Sequence, residues 1–149
     1  MTIKFYKSVP PYGYLNNFHK AKFYLYEKMW ETVEAAYQSR KTFVPGERNK
    51  IWAAATPREA RNIGQLVQLR SDWNSIKFFV MKECVFAKFY QNNDLKELLL
   101  STGDEEIVED TSVTNDTYWG CGKNGDGQNN LGKILMKVRE DLKINFIFK

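Results

Sequence analysis

The sequence predicts a mainly α-helical protein with minor β structure, folded as one compact domain over residues 1–149. Apolar residues recur at helical spacing over much of the chain, whereas the β-prone stretches are few and short. Strands and helices do not alternate in the way that builds a parallel sheet, and neither repeats nor linkers interrupt the chain. A chain of 149 residues can bury a core without disulfides or metals.

The first 40 residues predict two short strands and a helix. Residues 3–6 alternate in polarity ahead of Pro10 and Pro11, and residues 22–26 are aromatic and β-prone. A helix follows Thr32, which can cap it. Its helical positions are Val33, Ala36, Tyr37 and Arg40.

Two further helices are predicted in the middle of the chain. Thr-Pro-Arg-Glu at residues 56–59 is a capping box with proline at the first helical position, and its helix runs to about Leu66. Ser71 and Asp72 precede the longest helix. Its apolar positions are Trp73, Ile76, Val80 and Ala87, to which Phe79, Phe86 and Tyr90 can be added.

The last third predicts two helices and two strands. A short helix begins at Asn93-Asp94 and stops at Gly103, and residues 107–108 form a strand. Another helix begins near Asn130, and residues 145–148 favour a terminal strand. The apolar positions of the two helices are Leu95, Leu98, Leu99, Leu131, Ile134, Leu135, Val138 and Leu142.

Composition excludes several classes of protein. The formal net charge of +4 is compatible with a phosphate-bearing ligand or nucleic acid, but the basic residues are scattered. Cys84 and Cys121 have neither zinc-site spacing nor a disulfide framework. Neither a signal region nor a membrane-spanning run is evident. We therefore expect a cytoplasmic protein with no metal, no cofactor, no membrane association and no obligatory protein partner.

The segment of residues 115–132 predicts a binding loop, because it combines an acid, two aromatic residues and several glycines ahead of a helix. Residues 120–125 match GxGxxG, but no helix opens on them. Residues 127–133 resemble a phosphate loop, but Ile134 replaces the hydroxyl residue. His19 is the single histidine and has no acid or nucleophile near it in sequence, so a Ser-His-Asp triad is not favoured.

Six segments resemble the YbiA/NADAR family of N-glycosidases, in the same order and over residues 5–142. They are residues 12–18 (YGYLNNF), 30–41 (WETVEAAYQSRK), 70–73 (RSDW), 102–104 (TGD), 115–132 and 135–139 (LMKVR). Three positions depart from the family pattern. Asn16 stands for serine, Ala35 for histidine and Cys121 for aspartate.

The resemblance implies a mostly helical, metal-independent enzyme that cleaves the bond between ribose and a nitrogenous base. It implies two substrate classes: guanine ADP-ribosylated in nucleic acid, and phosphorylated ribosylamino-pyrimidines of riboflavin synthesis. The basic balance slightly favours the first. A non-catalytic module that binds ADP-ribose or nucleic acid is the competing class, because Ala35 and Cys121 replace family residues.

Three residues are the candidate catalytic groups. Glu34 shares a helix face with Tyr37 and would act near C1′ of the ribose, although a first-turn glutamate can also be a solvated surface residue. Asp116 would stabilise the cationic sugar or position water, or merely form an Asx turn. Lys41 would attack C1′ and form a Schiff base, or be a plain surface lysine.

The same resemblance implies a set of substrate-binding residues around these three. Trp119 is the preferred stacking platform, and Arg70 with Trp73 could pair with a phosphate and stack on a base, although Trp73 also fits a core position. The candidate substrate-binding residues are Asn17, Phe18, Tyr37, Arg70, Trp73, Trp119, Gly120 and Asn129.

Overall fold

The computed structural model describes residues 1–147, which form six α-helices and two small sheets. The elements are β1 (Thr2–Phe5), β2 (Phe23–Leu25), β3 (Lys28–Trp30), α1 (Val33–Ser39), α2 (Pro45–Trp52), α3 (Pro57–Gly64), α4 (Trp73–Gln91), α5 (Asn93–Ser101), β4 (Glu106–Glu109) and α6 (Asn130–Ile147). The predicted mainly α fold class is confirmed. None of the described helices is both long and apolar enough to cross a bilayer.

The core lies where α4 and α6 pack against each other and where β4 packs on α6. Its largest fully buried side chains include Phe23, Trp30, Phe89 and Leu135. Burying one such side chain stabilises the fold by roughly 1.5–3 kcal/mol. On the other side of the molecule, α1 packs against α2, α3 and α4. Helix α1 thus joins the core to the α2–α3 pair.

The two sheets are each two-stranded. Strands β1 and β4 pair in parallel, with Thr2 opposite Glu106 and Phe5 opposite Glu109. The sequence order gave no reason to expect a parallel pair. Strands β2 and β3 form a hairpin whose turn, Tyr26-Glu27, has positive φ angles of 54° and 63°. Strand β3 was not predicted, because neither residue is typical of such a turn.

Two predicted helix starts are confirmed by their capping hydrogen bonds. The hydroxyl of Thr32 accepts a hydrogen bond from the backbone N–H of Ala35 at 3.2 Å. The hydroxyl of Thr56 accepts one from Glu59 N–H at 3.1 Å, and the Glu59 carboxylate accepts one from Ala55 N–H at 3.0 Å. Each cap satisfies a backbone donor that the first helical turn leaves free.

Some predictions about elements were wrong. The predicted strand at residues 145–148 is absent over residues 145–147, because α6 continues through Ile147; Phe148 lies outside the described residues. Propagation of an existing helix overrides the local β preference of these residues. Helix α2 was not predicted, because Ile51 is its one buried residue and no apolar stripe marks it. Phe79 and Tyr90, placed on the apolar face of α4, are 68% and 44% exposed.

Candidate active site

A cavity of about 610 Å³ opens between α1, α3, the segment after β1 and the loop after β4. This volume lies within the usual range for small-molecule sites, about 300–1,000 Å³. Four acidic side chains, four basic side chains and several aromatic rings line it. The charged lining residues are Glu34, Glu109, Asp110, Asp116, Lys7, Lys41, Arg58 and Arg61. Both signs of charge therefore meet in one space.

Helix α1 forms one wall, because three of its residues and the lysine that follows it lie on one face. Glu34, Tyr37, Gln38 and Lys41 all line the cavity. Glu34 is only 8% exposed, and its Oε1 accepts a hydrogen bond from Gln38 Nε2 at 2.8 Å. Burial raises the pKa of Glu34, against the hydrogen bond from Gln38 and the charges of Arg61 and Lys41.

Lys41 follows the last residue of α1 by two positions and is half-buried. Burial lowers the pKa of its amine, although the charge of Glu34 acts in the opposite direction. A lowered pKa makes a lysine a better nucleophile near neutral pH. The structure thus brings two of the predicted catalytic residues, Glu34 and Lys41, into electrostatic contact.

Gly64, the last residue of α3, allows this wall to form. A Cβ at position 64 would lie 2.0 Å from Gln38 Oε1. The Gln38 amide is buried between the two helices, and its Oε1 has no hydrogen-bond partner among the described residues. The orientation of Gln38, and through it that of Glu34, therefore depends on a glycine of a neighbouring helix.

The loop after β4 forms a second wall, which is held by side chain-to-backbone hydrogen bonds. Asp116 Oδ1 accepts hydrogen bonds from the backbone N–H groups of Tyr118 at 3.0 Å and Trp119 at 2.8 Å. The hydroxyl of Thr111 donates to Asp116 O at 2.6 Å and accepts from Gly122 N–H at 2.8 Å. Asp116 therefore both forms the expected Asx turn and lines the cavity.

Aromatic rings connect the two walls. Trp119 of the loop meets Tyr37 of α1 edge-on, with ring centroids 5.7 Å apart. Tyr37 in turn packs on Trp73, with centroids 5.1 Å apart. Trp119 and Tyr37 line the cavity, whereas Trp73 is 5% exposed and lies behind Tyr37. Trp73 therefore supports the ring that faces the cavity.

A third wall comes from the segment that contains Asn16, Asn17 and Phe18, all of which line the cavity. The backbone carbonyl of Asn17 accepts a hydrogen bond from Glu34 N–H at 3.1 Å. Beneath it, the buried Lys88 donates from Nζ to the carbonyl oxygens of Tyr14 at 2.6 Å and Asn16 at 3.1 Å. Burial lowers the pKa of Lys88 to about 7. This lysine of α4 fixes the segment in place.

Three other predicted binding residues lie outside the lining of the cavity. Arg70 forms a bidentate ion pair with Asp72, at 2.6 and 3.0 Å. Asn129 accepts a hydrogen bond from Glu109 N–H at 3.0 Å and donates to Ile107 O at 2.9 Å. A Cβ on Gly120 would lie 2.3 Å from Thr111 Cγ2. With Trp73, they support the walls, and direct contact with a substrate stays a prediction for all four.

The sequence interpretation missed several lining residues, above all Glu109, Arg58 and Arg61. Glu109 follows the fully buried Ile107 by two residues, so the alternation of a strand places both on one face. That alternation was a usable signal. Arg58 and Arg61 are exposed and lie three residues apart on α3, a pattern typical of any solvated helix face, so their sequence carried no such signal.

A metal site is not evident in the part of the chain that the structure describes. Among residues 1–147, no group of three or more histidine, cysteine, aspartate or glutamate side chains is arranged to hold a metal ion. The side chains that line the cavity include carboxyl, amine, guanidinium, amide and aromatic groups.

Comparison with known proteins gives a consistent result. The family model described as the NADAR domain matches residues 4–143. An N-glycosidase of Nostoc punctiforme is 45% identical over 150 residues, which cover 96% of this chain and 94% of that protein. The solution NMR structure of the Escherichia coli protein YbiA superimposes with a TM-score of 0.89 at 36% identity, covering 98% of this chain and 87% of that one.

A third relative is longer than this chain. A riboflavin biosynthesis protein of Vibrio vulnificus is 36% identical over 143 residues, which cover 95% of this chain but 38% of that protein. The predicted family resemblance is confirmed by these comparisons.

Proposed function

The chain belongs to the NADAR domain family and is an N-glycosidase, and we propose that it releases a nitrogenous base from a phosphorylated ribosyl substrate, with ADP-ribosylated guanine in nucleic acid as the first candidate. The observation that carries this proposal is one cavity lined by four carboxyl groups, of which Glu34 is buried, by aromatic rings and by four basic side chains.

Each part of the cavity suits one part of such a substrate. Cleavage of an N-glycosidic bond passes through an oxocarbenium-like transition state, which a carboxylate near C1′ stabilises. Glu34 and Asp116 are the carboxylates for that role. Trp119 and Tyr37 offer aromatic surface to the base. Arg58 and Arg61 can pair with phosphate oxygens.

The number of basic side chains in the cavity favours the substrate with more phosphate groups. Lys7, Lys41, Arg58 and Arg61 provide four positive charges, and ADP-ribose carries two phosphate groups. A ribosylamino-pyrimidine phosphate carries one phosphate group and would engage fewer of these basic side chains. A guanine in nucleic acid would have to be unpaired or extruded to reach the cavity.

The second candidate substrate is a phosphorylated ribosylamino-pyrimidine of riboflavin synthesis. The relative from Vibrio vulnificus is named as a riboflavin biosynthesis protein and is 36% identical over the region that the chain matches. The same carboxyl groups and aromatic rings would serve this substrate, because its N-glycosidic bond and its flat base are chemically similar.

Lys41 offers a covalent route alongside direct attack by water. Its amine would displace the base at C1′, and opening of the ribose ring would give a Schiff base that water then hydrolyses. Borohydride added during turnover should reduce this intermediate to a stable protein–sugar adduct at Lys41. Full activity in Lys41→Ala without any adduct would exclude the covalent route and leave direct hydrolysis.

A direct comparison of the two substrates tests the proposal. An ADP-ribosylated guanine oligonucleotide and the ribosylamino-pyrimidine phosphate are each incubated with the protein, and release of base is followed by chromatography. We expect a higher kcat/KM for the oligonucleotide, and a higher KM for it in Arg61→Gln than in the control Lys50→Gln, since Lys50 is exposed and not part of the cavity. Binding of both substrates without release of base would contradict the proposal.

A further inference from the structure

The cavity contains a carboxyl group to which neither the sequence interpretation nor the comparisons give a role. Glu109 is the last residue of β4 and lines the cavity together with Glu34 and Asp116. Resting on the proposed function, we infer that Glu109 is the general acid that protonates the departing base.

The backbone of Glu109 is held by hydrogen bonds, which fix where its side chain leaves the strand. Its N–H donates to Asn129 Oδ1 at 3.0 Å, and its carbonyl oxygen accepts from Cys121 N–H at 3.0 Å. On the other side, Phe5 O accepts from Asp110 N–H at 2.8 Å. The side chain therefore starts from a fixed backbone position at the edge of the cavity that it lines.

Glu109 also differs from the other acids of the cavity in its hydrogen bonding. Glu34 accepts a hydrogen bond from Gln38, Asp116 accepts two from backbone N–H groups, and Asp110 accepts one from Ser112 N–H. Within the described residues, the Glu109 carboxyl has neither a hydrogen-bond donor nor an ion-pair partner. Its proton is therefore not required by the fold and can be given to a ligand.

The surroundings of Glu109 favour its protonated form. Burial, then the nearby charges of Asp116 and Glu34, raise the pKa of Glu109 to about 7, and Arg61 acts in the opposite direction. Burial raises the pKa of Glu34 too, but the hydrogen bond from Gln38 and the charges of Arg61 and Lys41 favour its carboxylate form. The other titratable or charged groups that line the cavity are Tyr6, Lys7, Tyr37, Lys41, Arg58 and Asp110.

The step balances as a direct hydrolysis. The C1′–N bond breaks, its electron pair goes to the base nitrogen, and that nitrogen takes the proton of the Glu109 carboxyl. Water adds to C1′ and transfers its proton to the carboxylate of Glu34. Exchange with solvent then returns a proton to Glu109 and removes one from Glu34, which restores the starting state.

The pH dependence of kcat/KM tests this role. Below about pH 7 Glu109 holds its proton and does not limit kcat/KM, whereas above this pH kcat/KM should fall about tenfold per pH unit. Glu109→Gln should reduce kcat/KM at pH 6 by about 10²–10⁴-fold and remove the alkaline limb. Glu106→Gln is the matched control, since it lies on the same strand, is exposed and does not line the cavity.

The outcomes separate the two proposals. A parent that hydrolyses neither ribosyl substrate contradicts the proposed function, whereas an active parent whose alkaline limb persists in Glu109→Gln overturns the role of Glu109 alone. Circular dichroism and thermal melting establish that the variant is folded. If Glu109→Gln does not fold, Glu109→Asp replaces it in the test. This shorter acid should lower kcat but keep the alkaline limb of the pH profile. An unchanged kcat would overturn the role of Glu109.

Discussion

The helix wall and the loop wall of the cavity contribute similar chemical groups but are built in different ways. On α1, Glu34 and Gln38 face the cavity because they lie one helical turn apart. On the loop, Asp116 lines the cavity while its carboxylate accepts hydrogen bonds from the backbone of Tyr118 and Trp119. A polar residue of the helix wall can thus serve chemistry alone, whereas one of the loop wall also serves the fold.

This contrast predicts that function and stability separate on one wall and are coupled on the other. Substitutions on α1 that preserve volume should change the rate and leave the fold intact. Substitutions in residues 109–130 should change both, unless the replacement keeps the hydrogen bonds of the original side chain. The predictions that follow are ordered by the size of the expected effect.

The largest effect is expected for Glu34→Gln. The replacement keeps the volume of a side chain that is 8% exposed but removes its charge, so ribosyl-bond hydrolysis should fall by about 10²–10⁴-fold. The rate of base release measures it, and thermal melting should show an intact fold. Glu31→Gln, at an exposed glutamate that pairs with Lys20, is the control. Equal rates in Glu34→Gln and the parent would refute the assignment.

The next effect distinguishes the two roles of Asp116. Asparagine keeps an oxygen that can accept from Tyr118 and Trp119 N–H but removes the charge, so Asp116→Asn should lose about 10²-fold in rate with an unchanged melting temperature. Asp116→Ala should also lose about 1–3 kcal/mol of unfolding free energy, because those donors lose their acceptor. If Asp116→Asn keeps the full rate, Asp116 acts only on the fold.

A smaller effect is expected from Gly64→Ala, which tests whether the contact between α3 and Gln38 positions the helix wall. The new methyl group would meet the Gln38 amide at 2.0 Å, so the amide must move and its hydrogen bond to Glu34 is lost. We expect a loss of about 1–3 kcal/mol in unfolding free energy, as for other overpacked sites, together with a lower kcat. Gly46→Ala is the control, because a Cβ there would contact nothing within 4 Å.

The smallest effect is expected for Arg70→Gln. The guanidinium is engaged by Asp72 and stacks on Phe43 at 4.1 Å, outside the lining of the cavity. KM should therefore change by less than about twofold. The ion pair with Asp72, whose side chain is 45% exposed, should contribute no more than about 1 kcal/mol to the free energy of unfolding. A KM that rises by an order of magnitude for phosphate-bearing substrates would instead support the contact implied by the family resemblance.

Features with a local cause could be predicted from the sequence. The helix cap at Thr32, the capping box at Thr56 and the break at Gly103 depend on residues within a few positions, and their predictions agree with the structure. The hairpin turn at Tyr26-Glu27 could not be predicted, because two residues of low turn preference are held at positive φ by the paired strands.

The same distinction applies to the cavity. The face of α1 that carries Glu34, Tyr37 and Lys41 follows from helical spacing, so these lining residues could be proposed from the sequence and the family resemblance. Arg61 enters the cavity only because α3 packs against α1, a contact between distant parts of the chain. Arg70 lies outside the lining of the cavity, where it pairs with Asp72, and its contact with a phosphate stays a prediction.

The parallel pairing of β1 with β4 has a consequence for biosynthesis. Thr2 lies opposite Glu106, so 104 positions along the chain separate partners that the cavity requires. Strand β1 and the segment after it, which lines the cavity, are synthesised before the strand with which β1 pairs. Contacts of such long sequence separation form slowly. The wall of the cavity that carries Glu109 therefore reaches its place only after β4 has been made and has paired with β1.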